Sequence, residues 1–108
     1  MKRRGKLKIR EFFNVEGFDP DKCKPFLFWT KWDENYEELE KPCPVCPIAT
    51  AAELRGYSGW KPGNDKGVLR DIRKEFGISE LVLDKFIEAY DNHRDFYGAL
   101  RVAESYEN

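Results

Sequence analysis

The sequence predicts an α+β domain in which a small N-terminal antiparallel β-hairpin packs against three to four C-terminal α-helices. Three observations predict this fold class. Apolar and basic residues alternate near the N-terminus, an aromatic run at residues 26–32 is typical of a strand, and apolar residues recur at helical spacing in the second half of the chain. A Cys-Pro-x-Cys segment at residues 42–47 separates the two parts.

Length and composition predict a single domain over residues 1–108 in the cytoplasm. The chain is 41% hydrophobic and 15% aromatic, which is enough to build one core. No apolar run approaches the roughly 20 residues that span a bilayer, and the N-terminus lacks the apolar stretch of a secretory signal. The cysteine count of three is odd, whereas small secreted domains usually pair their cysteines. We therefore expect no membrane partner.

The first predicted strand covers residues 6–15 and the second covers residues 26–32. Leu7 and Ile9 fall on one face of the first strand, and basic residues fall on the other, namely Lys6, Lys8 and Arg10. Residues 1–10 form a basic arm without any acidic residue. A basic strand face of this kind can hold a phosphate backbone, so nucleic acid is an alternative partner.

Residues 48–108 are predicted to be helical. Pro47 suits a first helical position and Gly56 a stop. After a glycine-rich loop at residues 56–67, Asn64 or Asp65 can cap the next helix, whose apolar stripe is Leu69, Ile72 and Phe76. Gly77 ends that helix and Ser79 caps the next one. The apolar residues that follow, at spacings of three and four, fit one long helix through Ser105 or two helices broken near residues 91–92.

The cysteines indicate a candidate zinc site. Cys43 and Cys46 in a Cys-Pro-x-Cys turn resemble a zinc knuckle, in which a tight loop presents two thiolates. A structural zinc ion takes four ligands, and Cys23 and the single histidine, His93, are the candidates for the other two. Ordinary buried thiols and a disulfide or redox pair are the alternatives.

Phe28-Trp29 followed by a Cys-x-x-Cys and a helix resembles a thioredoxin-type oxidoreductase. In that family the motif follows the strand almost directly, whereas here an acidic stretch of about ten residues intervenes. Pro47 also places the helix start after the second cysteine. A thiol-disulfide oxidoreductase using Cys43 and Cys46 is therefore the second alternative function.

Residues 68–90 resemble a helix-turn-helix, with a glycine turn between two apolar-stripe helices. In a DNA-binding member the second helix enters the major groove. Here that helix offers Glu80, Asp84 and Glu88 with a single Lys85, and acidic side chains oppose phosphate binding. The surface formed by these acids with Leu81 and Val82 is better suited to a protein partner.

The glycine-rich loop carries Tyr57, Trp60 and Lys61, which can supply stacking and charge to a partner. The loop lacks the phosphate-loop pattern Gly-x-x-x-x-Gly-Lys-Ser/Thr, so nucleotide hydrolysis has no support. No catalytic residue is assigned. The sequence as a whole predicts a small binding, adaptor or regulatory protein that docks on a protein partner.

Overall fold

The computed structural model describes residues 7–23, 29–32, 35, 37–59 and 64–107. In this part of the chain there are five α-helices: α1 (Ile9–Phe13), α2 (Pro47–Leu54), α3 (Asp65–Phe76), α4 (Glu80–His93) and α5 (Phe96–Glu104). A short 3-10 helix covers Pro20–Lys22. Strands β1 (Trp29–Trp32) and β2 (Glu38–Pro44) pair antiparallel, with Thr30 opposite Cys43. No helix of the described residues has both the length and the apolar character needed to cross a membrane.

The predicted fold class is wrong, because the N-terminal hairpin does not form. Residues 9–13 of the predicted first strand are helical, and the described part of the chain is predominantly helical. Strand β1 pairs with β2, and it does not pair with residues 7–15, the described part of the predicted first strand. The alternation of Leu7 and Ile9 is too short to decide the structure. The buried residues Ile9, Phe12 and Phe13 have the spacing of one helix face.

Helix α1 is short, and distant side chains hold both of its ends. The Ile9 backbone N–H donates to the Glu107 carboxylate at 2.6 Å. At the other end, the Arg55 guanidinium donates to the carbonyls of Phe12 at 2.9 Å and Glu11 at 2.6 Å. A carboxylate at the N-terminus and a cation at the C-terminus both oppose the partial charges of the helix ends. These contacts compensate for a length that is far too short for an isolated helix.

The core is an aromatic cluster with Phe13 at its centre. Its ring lies 5.0 Å from that of Phe86 and 4.9 Å from that of Phe96, measured between centroids. Phe12 and Phe18 each lie 5.3 Å from it. The apolar stripes of all five helices converge on this cluster, so α1 belongs to the hydrophobic core.

The predicted corner between α3 and α4 is confirmed. Gly77 follows α3 in the left-handed conformation, with φ of 69°, which glycine adopts without a Cβ clash. The Ser79 hydroxyl then accepts a hydrogen bond from the Val82 backbone N–H at 3.4 Å. Asn64 caps α3 in the same way, through the N–H of Gly67 at 3.2 Å. Of the two alternatives for the C-terminal region, the structure has two helices, α4 and α5, separated at residues 94–95.

Candidate functional site

A groove of about 650 Å³ runs between α3 and α4. Its floor is apolar and consists of Leu69, Leu83 and Ile87. Leu83 is buried, while Leu69 and Ile87 are half-buried. The Gly77 corner sets this geometry, because it ends α3 and turns the chain into α4. This surface is called the α3–α4 groove below.

One wall of the groove is basic. Lys66, Arg70 and Arg73 line it from α3. They follow one another at i, i+4 and i+7, so they form a single row on one side of the helix. Lys66 and Arg70 are exposed and Arg73 is half-buried. These three residues are called the basic row.

The other wall is acidic. Glu80, Asp84 and Glu88 line it from α4 at i, i+4 and i+8, and all three are exposed. They are called the acidic row. Glu88 lies 3.7 Å from Lys85 of its own helix, an exposed pair that contributes little stability. The groove therefore combines an apolar floor with rows of opposite charge on its two sides.

The surface expected around Leu81 and Val82 is only partly present. Leu81 is 50% exposed, but Val82 is buried in the core at 1% exposure. Val82 lies in the first turn of α4, on the side of the helix where Leu83 and Phe86 are also buried. The acidic row and Leu81 are exposed, whereas Val82 contributes to stability alone.

Cys46 is the N-cap of α2, and burial there disfavours the thiolate form of its side chain. Its Sγ accepts a hydrogen bond from the Ala49 backbone N–H at 3.3 Å. Burial raises the pKa of the Cys46 thiol to about 12, and the amide donors that favour the thiolate do not offset this. A nucleophilic cysteine requires the opposite shift. Desolvation therefore outweighs the effect of the N-cap position on this thiol.

Cys23 lies against the first turn of α2, on the side of Cys46. Its Sγ is 4.0 Å from the Thr50 hydroxyl oxygen, and the Thr50 N–H donates to the Cys46 carbonyl. Burial raises the pKa of Cys23, and the charges of Cys23 and Cys46 are mutually unfavourable. Both thiols also raise the pKa of Tyr90, which burial brings to about 12. The structure therefore brings Cys23 and Cys46 to one region beside the end of α4.

The other two zinc candidates are placed less closely. Cys43 lies in β2 rather than in a loop, and the structure describes its backbone only. His93 is exposed in the last turn of α4. Within the described side chains no group of three or more His, Cys, Asp or Glu is close enough to hold a metal ion. Zinc bound by Cys23, Cys43, Cys46 and His93 stays a prediction.

The basic strand face is not formed. Lys8 is exposed at the start of α1, where its N–H donates to the Glu11 carboxylate at 3.0 Å. Arg10 binds Glu104 of α5 through two hydrogen bonds of 2.7 Å and 2.8 Å. This contact raises the pKa of Arg10 and lowers the pKa of Glu104. Lys6 lies outside the described residues.

The predicted aromatic loop presents less than the sequence suggests. Tyr57 is buried, and its hydroxyl donates to the Gly59 carbonyl at 3.1 Å. Its ring therefore packs into the core and is not available to a partner. Trp60 and Lys61 lie outside the described residues.

Comparison with known proteins yields no match to a family model, a curated protein or a solved structure.

Proposed function

We propose that this chain is a protein-docking module and that the α3–α4 groove is its docking surface. The observation that carries the proposal is the apolar floor between two rows of opposite charge. The occupant is a helical face of a protein partner, with an apolar stripe bordered by acidic residues on one side and basic residues on the other. Burial of the stripe supplies affinity, and the two charged rows fix orientation and exclude mismatched partners.

The chemistry elsewhere favours this function over the two alternatives. A nucleic acid in the groove would place phosphates against the acidic row, and Arg10 is already paired with Glu104. A thiol-disulfide oxidoreductase needs a low-pKa thiol, and burial raises the pKa of Cys46 to about 12, so this role would fall to Cys43 alone. The groove requires only exposed charges and a hydrophobic floor, both of which α3 and α4 provide.

Site-specific photocrosslinking tests the proposal. A photoreactive residue is placed at Arg70 in the groove wall, or at exposed Glu53 of α2 as the matched control, in cells that naturally express the chain. We expect discrete protein adducts from position 70 only, and their loss when Ile87→Glu is added to the same chain. Equal adducts from both positions, or adducts that survive Ile87→Glu in a folded protein, would contradict the proposal.

A structural zinc ion is proposed separately and has its own test. Cys23 and Cys46, which lie beside the first turn of α2, are the two candidate ligands whose side chains the structure describes as near one another. Native mass spectrometry of protein purified without chelator should show one zinc that is lost on denaturation and absent from Cys23→Ser. A mass without zinc, with the thiols free, would remove the metal from the proposal.

A further inference from the structure

The α3–α4 groove is complementary to itself. The basic row lies on α3 and the acidic row on α4, with the apolar floor between them. A two-fold axis running along the groove, in the plane of contact, would place α3 of one copy over α4 of the other. Each basic row would then face an acidic row, and the two apolar floors would lie on opposite sides of the space that the rows enclose.

Apart from Glu88, which lies 3.7 Å from Lys85, the charged residues of the groove have no ion-pair partner among the described residues. In the part of the chain that the structure describes, neither Lys66, Arg70 nor Asp84 forms an ion pair. Other charged residues of the domain do find partners, as the hydrogen-bonded pair of Arg10 and Glu104 shows. No ion pair joins the basic row to the acidic row in this part of the chain, so these charges are available to a second surface.

We propose that a second copy of this chain occupies the α3–α4 groove, giving a two-fold symmetric dimer. This inference rests on the proposed function, because it identifies the partner for the same docking surface. The same surface of a second copy offers matching borders, because its basic row can face the acidic row and its acidic row can face the basic row. In a two-fold interface the same patch serves both subunits, so every favourable charge contact occurs twice.

The order of the rows fixes which residues meet. Arg73 and Glu80 flank the Gly77 corner, and Lys66 and Glu88 lie toward the opposite end of the groove. The axis along the groove preserves position along its length. Lys66 and Arg70 of one copy therefore approach Asp84 and Glu88 of the other, on both sides of the axis. A two-fold axis in the same plane but perpendicular to the groove would instead place α3 over α3 and α4 over α4. That arrangement would bring like charges together.

Sedimentation velocity with two charge-swap variants tests the dimer. One variant carries Lys66→Glu with Arg70→Glu, and the other carries Asp84→Lys with Glu88→Lys. Each variant alone sets like charges against each other in both halves of the interface. An equimolar mixture restores both halves, because the acidic α3 of the first variant meets the basic α4 of the second. Circular dichroism confirms that each variant is folded, and Glu53→Lys with Arg101→Glu is the control outside the groove.

We expect wild type and the control to associate with increasing concentration toward twice the 12.7 kDa of one copy. Each swap variant should stay at the single mass, and the mixture should recover the doubled mass. Raising the salt concentration should weaken association, since exposed charges are screened. A wild type that stays single at every concentration, or folded variants whose mixture does not associate, would overturn the inference.

The same experiments separate this inference from the proposed function. If the wild type stays single and position 70 crosslinks to a different protein, the second copy is ruled out and the docking groove stands. If position 70 yields no adduct and the wild type stays single, both fail. Association that persists in each swap variant alone would place the dimer contact elsewhere and overturn the inference.

Discussion

The Arg55 guanidinium donates a hydrogen bond of 2.9 Å to the backbone carbonyl of Phe12, which lies 43 residues earlier in the chain. A second nitrogen of the same group reaches the Glu11 carbonyl at 2.6 Å. Arg55 follows the last residue of α2, so the end of one helix supplies the C-terminal cap of another. The guanidinium also lies 6.0 Å from the centre of the Phe12 ring. This contact attaches α1 to α2.

Removing this cap should destabilise the domain. Arg55→Ala leaves the Phe12 and Glu11 carbonyls without their donors, and hydrogen bonds to charged groups contribute about 2 kcal/mol. We expect urea unfolding to show a loss of about that size in the free energy of unfolding. Arg55→Lys retains the charge but lacks the planar guanidinium, so its free energy of unfolding should lie between those of wild type and Arg55→Ala. An Arg55→Ala variant as stable as the control Arg101→Ala would contradict the role of the cap.

Phe13 should be among the most costly residues to truncate. Phe13→Ala removes the ring that contacts Phe86 and Phe96 at the centre of the core, and such changes cost about 3–5 kcal/mol. Tyr97→Ala is the matched control, because Tyr97 also contacts Phe96 but is 57% exposed. Thermal or urea unfolding compares them. Equal losses in the two variants would show that Phe13 is not the centre of the core.

The Cys46 thiol should make the fold sensitive to alkali. Without a bound metal ion, burial raises the pKa of the Cys46 thiol in the folded state from an ordinary 9.0 to about 12, so the folded protein keeps a proton that the unfolded chain releases. Stability is then fully present below pH 9 and declines as the pH rises toward 12. Cys46→Ser keeps an N-cap acceptor without this titration. Under reducing conditions we expect the free energy of unfolding to fall less steeply above pH 9 in the variant. Parallel slopes would refute the prediction.

The contact between Arg10 and Glu104 should add acid sensitivity. The hydrogen bonds from Arg10 lower the pKa of Glu104 below its ordinary 4.5. A carboxylate with a lowered folded pKa stabilises above its unfolded pKa, and that contribution is lost as the pH falls through the folded value. Glu104→Gln and Arg10→Gln should both remove this part of the acid profile, and the double variant should add nothing further. If the effects of the two single variants on stability add up in the double variant, the two side chains act independently.

The helical second half could be predicted because its signals are local. Gly77 and Ser79 end and begin helices through contacts within one turn, and both are visible as residue types at the right spacing. The N-terminal helix could not be predicted, because the contacts that hold it come from Arg55 and Glu107, which are distant in sequence. The spacing of Ile9, Phe12 and Phe13 was the one local signal, and the alternation of Leu7 and Ile9 obscured it.

The candidate groove was predicted only in part. The acidic row of Glu80, Asp84 and Glu88 is evident from its spacing and was assigned to a protein-facing surface. The basic row was missed, although Lys66 and Arg70 lie four residues apart, because Leu69 beside them was assigned wholly to the core stripe. Only the corner angle between α3 and α4 shows that Leu69 contributes to the floor of a groove.

The contacts between α1 and residues distant in the sequence have a consequence for how the chain folds during synthesis. The carboxylates that hold the start of α1 belong to Glu104 and Glu107, more than 90 residues later. A five-residue helix has no stability of its own, so on the ribosome α1 stays unformed until these residues emerge. The helix that precedes all the others in this chain is thus among the last to become ordered. Until then the aromatic ring of Phe13 is absent from the core, and the nascent chain exposes the apolar surfaces of α4 and α5 to chaperones.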